Sequence, residues 1–301
     1  MLTDVQKIQR RLGIGGSDAA AICGLSKYKT PLQVYYEKVD HGYEVPQNPK
    51  MYWGNKHESN VASEYALQTG KELVFPKETL IHPEFNFIRG NIDGKIRDEN
   101  ALLECKTTEA YDLSEWGESG TDEFPTEYIL QCAHYAMIAG ADYVDLAVLI
   151  GLSDFRIYRY TRNEKIEINL LEQEKIFWEE NVLKQIPPDP ITLEDVTMRW
   201  KQHKANDYAM ASDEIEYKIE SLKIIKEQIK NIEMKKEELE FCIKNFIKDS
   251  EGLKNQDGKI FATWKTQETT RLDTNLLKIS EPEIFKKYTK KSSSRVFLLK
   301  K

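Results

Sequence analysis

Between residues 90 and 110 the chain reads GNIDGKIRDENALLECKTTEA, and three side chains there are placed for chemistry rather than packing. Glu104 and Lys106 stand two apart inside ALLECKT, a run otherwise suited to a buried strand. Side chains alternate faces along a strand, so Glu104 and Lys106 share one face while Leu103 and Cys105 share the other. Asp93 comes before a glycine, at hairpin distance upstream. Two carboxylates at one sheet edge repel each other unless a cation lies between them, and hard oxygen donors suit Mg²⁺ or Mn²⁺. A cation lowers the pKa of its water, and a neighbouring ammonium favours hydroxide further. The pattern points to metal-assisted hydrolysis. The plainer reading is a surface strand carrying a salt bridge.

The elements around this stretch follow from periodicity and punctuation. In GIGGSDAAAICG, Ser17 or Asp18 is placed to cap a short helix that Gly24 stops, and Pro31 opens the next. Residues 51–70 predict a longer helix ending at Gly70, with Val61, Ala62 and Tyr65 on one face. Strands are expected in ELVFPKETLIH, NFIRGNIDGKI and ALLECKT, with Asp98–Asn100 as a hairpin turn. A helix over 125–141, a hairpin of YVDLAVLIG with DFRIYRYTR, and an amphipathic helix closed by PPDP at 187–190 complete the first part. Residues 205–248 then predict one long helix. In it Leu222, Ile225, Ile229, Ile232, Leu239, Ile243 and Phe246 alternate three and four apart, with Lys236 in the seam. That stripe needs a partner helix or its own domain to cover it. The tail predicts a strand, short helices and a last strand. The class is mixed α/β, a central mixed sheet flanked by helices. The expected domains are 1–200 and a 201–301 appendage of long helix and small basic segment.

Composition narrows the function classes. No run of about 18 apolar residues is present and the N-terminal stretch lacks an apolar core, so a cytoplasmic protein without membrane contact is expected. The four cysteines form no CxxC pair, which excludes a disulfide framework and reads as reduced, mostly buried thiols. Net charge is −7, yet residues 1–200 carry 21 Lys+Arg against 33 Asp+Glu, while 201–301 carry 22 against 17. The basic excess is gathered in the C-terminal part, with Lys290, Lys291 and Arg295 as candidates for contact with a nucleic-acid backbone or a protein partner.

Asp93-x(10)-Glu104-x-Lys106 resembles the signature of the PD-(D/E)xK nucleases. Three further blocks narrow the resemblance to the lambda-exonuclease and RecB-like branch. WGNKHE carries Glu58 in a G-x-x-x-E context, and QCAHY carries Gln131 and Tyr135 as Q-x-x-x-Y on the following helix. RLGIGGSDAAAICGLSKYKTPLQVYYEKV is similar to the N-terminal signature of YqaJ-type viral recombinases. The blocks stand in family order across residues 10–160.

The resemblance implies a restriction-endonuclease-like sheet and a 5′-to-3′ exonuclease that trims linear duplex DNA to 3′ single strands for recombination. It implies Mg²⁺, with Mn²⁺ as a substitute, held by Asp93, Glu104 and the Cys105 carbonyl, with Glu58 completing the site or holding a second ion. Lys106 would assist the nucleophile, with Gln131 and Tyr135 in the same site. A 5′-phosphate would be held by Arg11 and Ser17, joined by Gln131. Asn91 stands where a relative has serine, and Asp112 where lambda-like enzymes place a basic residue. The family implies a single-strand annealing protein as partner and a homo-oligomer, a ring trimer in relatives. An iron–sulfur RecB-like enzyme is excluded by cysteine count, since only Cys242 lies beyond the Q-x-x-x-Y helix. A structure-specific or restriction-type endonuclease and a non-catalytic DNA-binding recombination scaffold are the alternatives.

Overall fold

Cap residues set the element boundaries in the computed structural model, which describes residues 10–40, 43, 48–110, 113–151 and 153–300. Helix α1 (Gly16–Ile22) has Gly15 at its N-cap, and Asp18, not Ser17, supplies the capping side chain. Ser17 is exposed, and Asp18 sits in the first turn with Oδ2 accepting the Gly15 N–H at 3.2 Å. Helix α2 (Pro31–Val39) starts in a Thr30/Gln33 capping box with Pro31 at its first position. Helix α3 (Pro49–Thr69) is capped by Asn48, whose side chain accepts the Met51 N–H, and ends at Gly70 in the left-handed conformation. The next stretches yield only short strands: β1 (Leu73–Val74), β2 (Leu80–Ile81), β3 (Arg89–Gly90) and β4 (Gly94–Ile96). Pro76, which cannot donate to a ladder, lies between β1 and β2.

The core elements are β5 (Ala101–Thr108), α4 (Thr126–Ala139), β6 (Tyr143–Ile150) and β7 (Asp154–Thr161). The sheet order is β1-β4-β5-β6-β7, with β5 parallel to β6 and the other pairs antiparallel. The crossover from β5 to β6 carries α4. β6 is apolar almost throughout because both its faces are covered. Val144, Leu146 and Val148 pack with Cys132, Ala133 and Ala136 of α4. Ala147, with Leu103 and Cys105 of β5, packs against Val61, Ala62 and Tyr65 of α3. Each fully buried aliphatic side chain is worth about 1.5–3 kcal/mol, so this sandwich fixes β5 from both sides.

A second cluster joins the glycine turn to the sheet edge. Ile14 bridges Ile88 in parallel, and both lie fully buried with Leu32 and Val34 of α2. Helix α5 (Glu164–Ile176) runs on into a π-helical turn, Phe177–Leu183, whose Trp178 stacks on Phe87 at 5.3 Å. Helix α6 (Leu193–Arg199) follows the proline cluster, and its buried Asp195 accepts the Thr30 hydroxyl at 2.7 Å.

Internal contacts divide the chain into two units, one ending at Arg199 and the other starting at Trp200. The second unit holds α7 (Asp213–Ile247), a hairpin of β8 (Gly252–Lys254) with β9 (Ile260–Thr263), and two short helices, α8 (Thr274–Ser280) and α9 (Pro282–Tyr288). The long helix starts later than its apolar pattern suggests, at the Ser212 cap. No strand forms in the described residues after Tyr288. Among the described residues no helix is long and apolar enough to cross a membrane.

Candidate active site

Asp93 immediately precedes β4, and the register that sets Gly94 opposite Leu103 sets Asp93 opposite Glu104. Asp93 Oδ2 accepts the Cys105 amide N–H at 2.7 Å, so the strand that carries one carboxylate also orients the other. Glu104 is 2% exposed. Its Oε1 accepts from Gln131 Nε2 at 2.6 Å and from Lys106 Nζ at 2.5 Å. Its Oε2 is buried and has no hydrogen-bond partner in the protein. Leaving a buried carboxylate oxygen unpaired is costly, so this atom marks where a ligand is missing from the balance.

Gln131 reaches Glu104 because α4 lies over the face that Glu104 and Lys106 share. Its Nε2 also donates to the Tyr135 hydroxyl at 3.2 Å, which makes the i, i+4 pair one unit. Two glycines make room for Tyr135. A Cβ on Gly16 would lie 2.6 Å from the ring, and one on Gly90 would lie 2.9 Å from it. The glycine-rich turn therefore serves the fit of Tyr135.

Glu58 lies on α3 one turn before the buried Val61, Ala62 and Tyr65, and it is exposed. Burial and repulsion from Asp93 raise its pKa, and Lys106 pulls it back. Burial and repulsion from Asp93 push Glu104 up to about 8 despite the adjacent Lys106. Asp93 is raised by burial, against the pull of Lys106 and the Cys105 N–H. For Lys106, burial opposes the charge, but Glu104 and Asp93 hold it above the usual lysine range. Three carboxylates raised together around one lysine leave the cluster short of positive charge.

A divalent cation fits that deficit. The available donors are carboxylate oxygens and a strand carbonyl, the hard ligands that Mg²⁺ and Mn²⁺ take, and Glu104 Oε2 lacks a partner. Among the described residues no group of three or more His, Cys, Asp and Glu side chains is placed to hold a metal ion. Mg²⁺ does not need three, since it is commonly held by one or two carboxylates with waters and substrate phosphates.

The remaining expected residues take different positions. Arg11 is half-buried just before the glycine turn, Ser17 is exposed in the first turn of α1, and Asn91 is exposed between β3 and β4. Asp112 lies outside the described residues. The Cys105 and Cys132 thiols are buried and pushed up by burial, whereas Cys242 is exposed, so the expectation of mostly buried thiols fails there. Tyr128 carried no motif and was missed, yet Lys106 Nζ lies 5.4 Å from its ring centroid. Its place one α-helical turn before the motif glutamine is the one signal that would have found it. Asp18, read as a cap, accepts the Gly15 N–H and also anchors buried lysines: Lys38 Nζ at 2.6 Å and Lys29 Nζ at 3.0 Å.

A five-stranded mixed sheet with Asp93, Glu104 and Lys106 where β4 meets β5, and Gln131 on the covering helix, defines a PD-(D/E)xK fold. The alkaline exonuclease (LHK-Exo) from Laribacter hongkongensis shares this fold, with a TM-score of 0.50, 17% identity and coverage of 61% of this chain and 94% of that one. Its complex with dAMP matches at a TM-score of 0.51 and 16% identity, with the same coverage. Residues 7–142 match the YqaJ-like viral recombinase domain. The uncharacterized protein YqaJ of Bacillus subtilis (strain 168) is 36% identical, across 100% of this chain and 95% of that protein. The chain belongs to the YqaJ-like viral recombinase family.

Proposed function

We propose that this chain is a divalent-metal-dependent exodeoxyribonuclease that hydrolyses linear duplex DNA from 5′ ends and leaves 3′ single strands for recombination. The observation that carries the reading is Glu104. It is a buried carboxylate facing Asp93, with one oxygen fixed by Gln131 and Lys106 and the other unpaired. The shared fold with an alkaline exonuclease supports it.

Asp93, Glu104 and the Cys105 carbonyl would hold Mg²⁺, with Mn²⁺ as a substitute, and Glu58 would complete the site or hold a second ion. When bound, the metal supplies Lewis-acid activation of water and stabilises the leaving 3′-oxygen. The rest of the work falls to the chain. Gln131 and Lys106 occupy Oε1 of Glu104, which fixes the rotation of the carboxylate and presents Oε2 to the site. The Cys105 amide does the same for Asp93. Lys106 keeps its proton beside two carboxylates and offers its N–H groups to the attacking oxygen and the scissile phosphate. Tyr135, wedged between Gly16 and Gly90, sets the distance from the glycine turn to Gln131. Arg11 and Ser17, beside that turn, are assigned the 5′-phosphate, with Asn91 near the same edge. An annealing protein would take up the 3′ strand in the cytoplasm, and copies of the chain would assemble around the duplex.

The test uses linear duplex labelled at one 3′ end, with 5′-phosphate or 5′-hydroxyl, in Mg²⁺ or EDTA. Progressive shortening from the phosphorylated 5′ end, lost in EDTA and in Lys106→Ala, is the expected result. Nicking of closed circular DNA would replace the reading with an endonuclease. Binding without hydrolysis would leave a scaffold.

A further inference from the structure

The positive charge of the second unit gathers at its C-terminal end. Residues 278–301 carry eight Lys and Arg against two Glu. On α7, Lys218, Lys223 and Lys244 are paired with Glu214, Glu220 and Glu240. The lysines at the end differ. Lys286 and Lys287 on α9, and Lys290 and Lys291 just beyond it, are exposed, and no carboxylate among the described residues pairs with them.

Open rings are interleaved with these charges. Tyr288 is 76% exposed and Phe297 71%, with Lys290, Lys291 and Arg295 between them in the chain. Lys287 Nζ lies 5.4 Å from the Tyr288 ring centroid. Arg295 donates to the Trp200 carbonyl at 3.3 Å, which holds the tail beside a residue that is itself 47% exposed. Neither Tyr288 nor Phe297 is needed for packing. The half-buried side chains of the α8–α9 pair are Leu277 and Phe285, with Lys278 Nζ 6.0 Å from the Phe285 centroid.

Charge and rings together select the ligand. A run of unpaired lysines calls for a repeating anion, and a nucleic-acid backbone supplies one charge per nucleotide. Exposed aromatic rings stack on bases whose faces are free, as they are in a single strand; a duplex keeps those faces inside. Ser292, Ser293 and Ser294 stand between the lysines and Arg295, and hydroxyls of this kind donate to phosphate oxygens. An acidic peptide would meet the charges and leave Tyr288 and Phe297 in water. We propose that α9 and the segment after it bind single-stranded DNA, with Lys286, Lys287, Lys290 and Lys291 on the phosphates and Tyr288 and Phe297 stacked on bases. The source of that strand rests on the nuclease reading: it is the 3′ strand that resection leaves. The second unit then has a task of its own, holding the product strand away from the metal cluster's chemistry.

The test uses the full-length chain in EDTA, so that no strand is cut. It reads the fluorescence anisotropy of a labelled oligothymidylate of about 16 nucleotides, the upper end of site sizes for stacking surfaces. Log affinity should fall against log salt with a slope of about −3, since four phosphate contacts to a single strand contribute about −0.7 each. Lys286→Gln, Lys287→Gln, Lys290→Gln and Lys291→Gln together should remove about that much slope and most of the affinity. Tyr288→Ala should weaken binding about fivefold or more, and Tyr288→Trp should keep it. An abasic chain of the same length should bind more weakly than the oligothymidylate. All these side chains are exposed, so the variants keep their fold, and circular dichroism should show the parent's helix content. Lys106→Ala should bind as the parent does, so failure of the catalytic reading would leave this result standing. No binding by the parent, or affinity untouched by the four lysine substitutions, would overturn the proposal. Equal binding of the abasic chain would overturn the stacking, and tighter binding of a duplex of the same length would overturn the choice of a single strand.

Discussion

Asp18 lies 4% exposed beneath the glycine turn, with Lys38 at 2.6 Å and Lys29 at 3.0 Å. Glu104 lies 2% exposed beside β4, with Lys106 at 2.5 Å. Burial pushes both carboxyls up, yet they finish on opposite sides of the usual carboxylate range. At Asp18 both oxygens are engaged, and Lys29, Lys38 and Arg10 pull it well below that range. At Glu104 a single lysine is shared with Asp93, one oxygen has no partner, and the group stays up near 8. The first cluster is a closed internal tie that fastens α1 to α2. The second is open by one cation's worth of charge. A buried ion pair becomes structural or functional according to whether its charges balance within the chain.

The largest expected break in this contrast is catalytic. Lys106→Ala or Glu104→Gln should lower hydrolysis of linear duplex about 1,000-fold, within the range for a lost acid–base or charge-stabilising group, with little loss of melting temperature. Lys38→Met should do the reverse: breaking a buried pair costs about 3–5 kcal/mol, read by urea unfolding. Next comes Gly16→Ala, which drives a methyl into Tyr135 and should cost about 1–3 kcal/mol while also slowing hydrolysis through the shifted Gln131.

The pH dependence of stability should carry opposite signs in the two clusters. The folded-state pKa of Glu104, near 8, exceeds its unfolded value of 4.5, so its contribution is full below 4.5 and is lost as pH rises through 8. That of Asp18 falls below 3.8, so its contribution is present above 3.8 and disappears as pH drops through the folded value. Metal-free Glu104→Gln should therefore melt above the parent at alkaline pH and level with it in acid. Asp18→Asn should melt below the parent at neutral pH, and the gap should close in acid. The smallest effect is expected from Tyr128→Leu, which removes a cation–π contact worth about 0.5–2 kcal/mol and should slow hydrolysis less than about 30-fold.

The proposed catalytic stretch was legible because its logic is local. The β4–β5 hairpin, the shared face of Glu104 and Lys106, and the Gln131–Tyr135 pair all follow from periods of two and of 3.6. Asp18 was read as a cap, which it is, but its pairing with Lys38, twenty residues on, was not legible because nothing local signals it. Tyr128 was missed because its meeting with Lys106 depends on how α4 crosses β5. The strand breaks near Pro76 and at residues 91–93 are settled by pairing at the sheet edge, where apolar content alone overstates strand length. The α7 pattern was legible in period, while its exposure was visible only in three dimensions.

The most direct test of the open charge at Glu104 is calorimetric titration of Mn²⁺ into the metal-free protein at pH 8.5 and pH 6, with Glu104→Gln alongside. The expected result is tighter binding at pH 8.5 than at pH 6, accompanied by proton release, and binding abolished in the variant. Equal affinity in the parent and Glu104→Gln would contradict the cation site at Asp93 and Glu104, and with it the catalytic reading of the cluster.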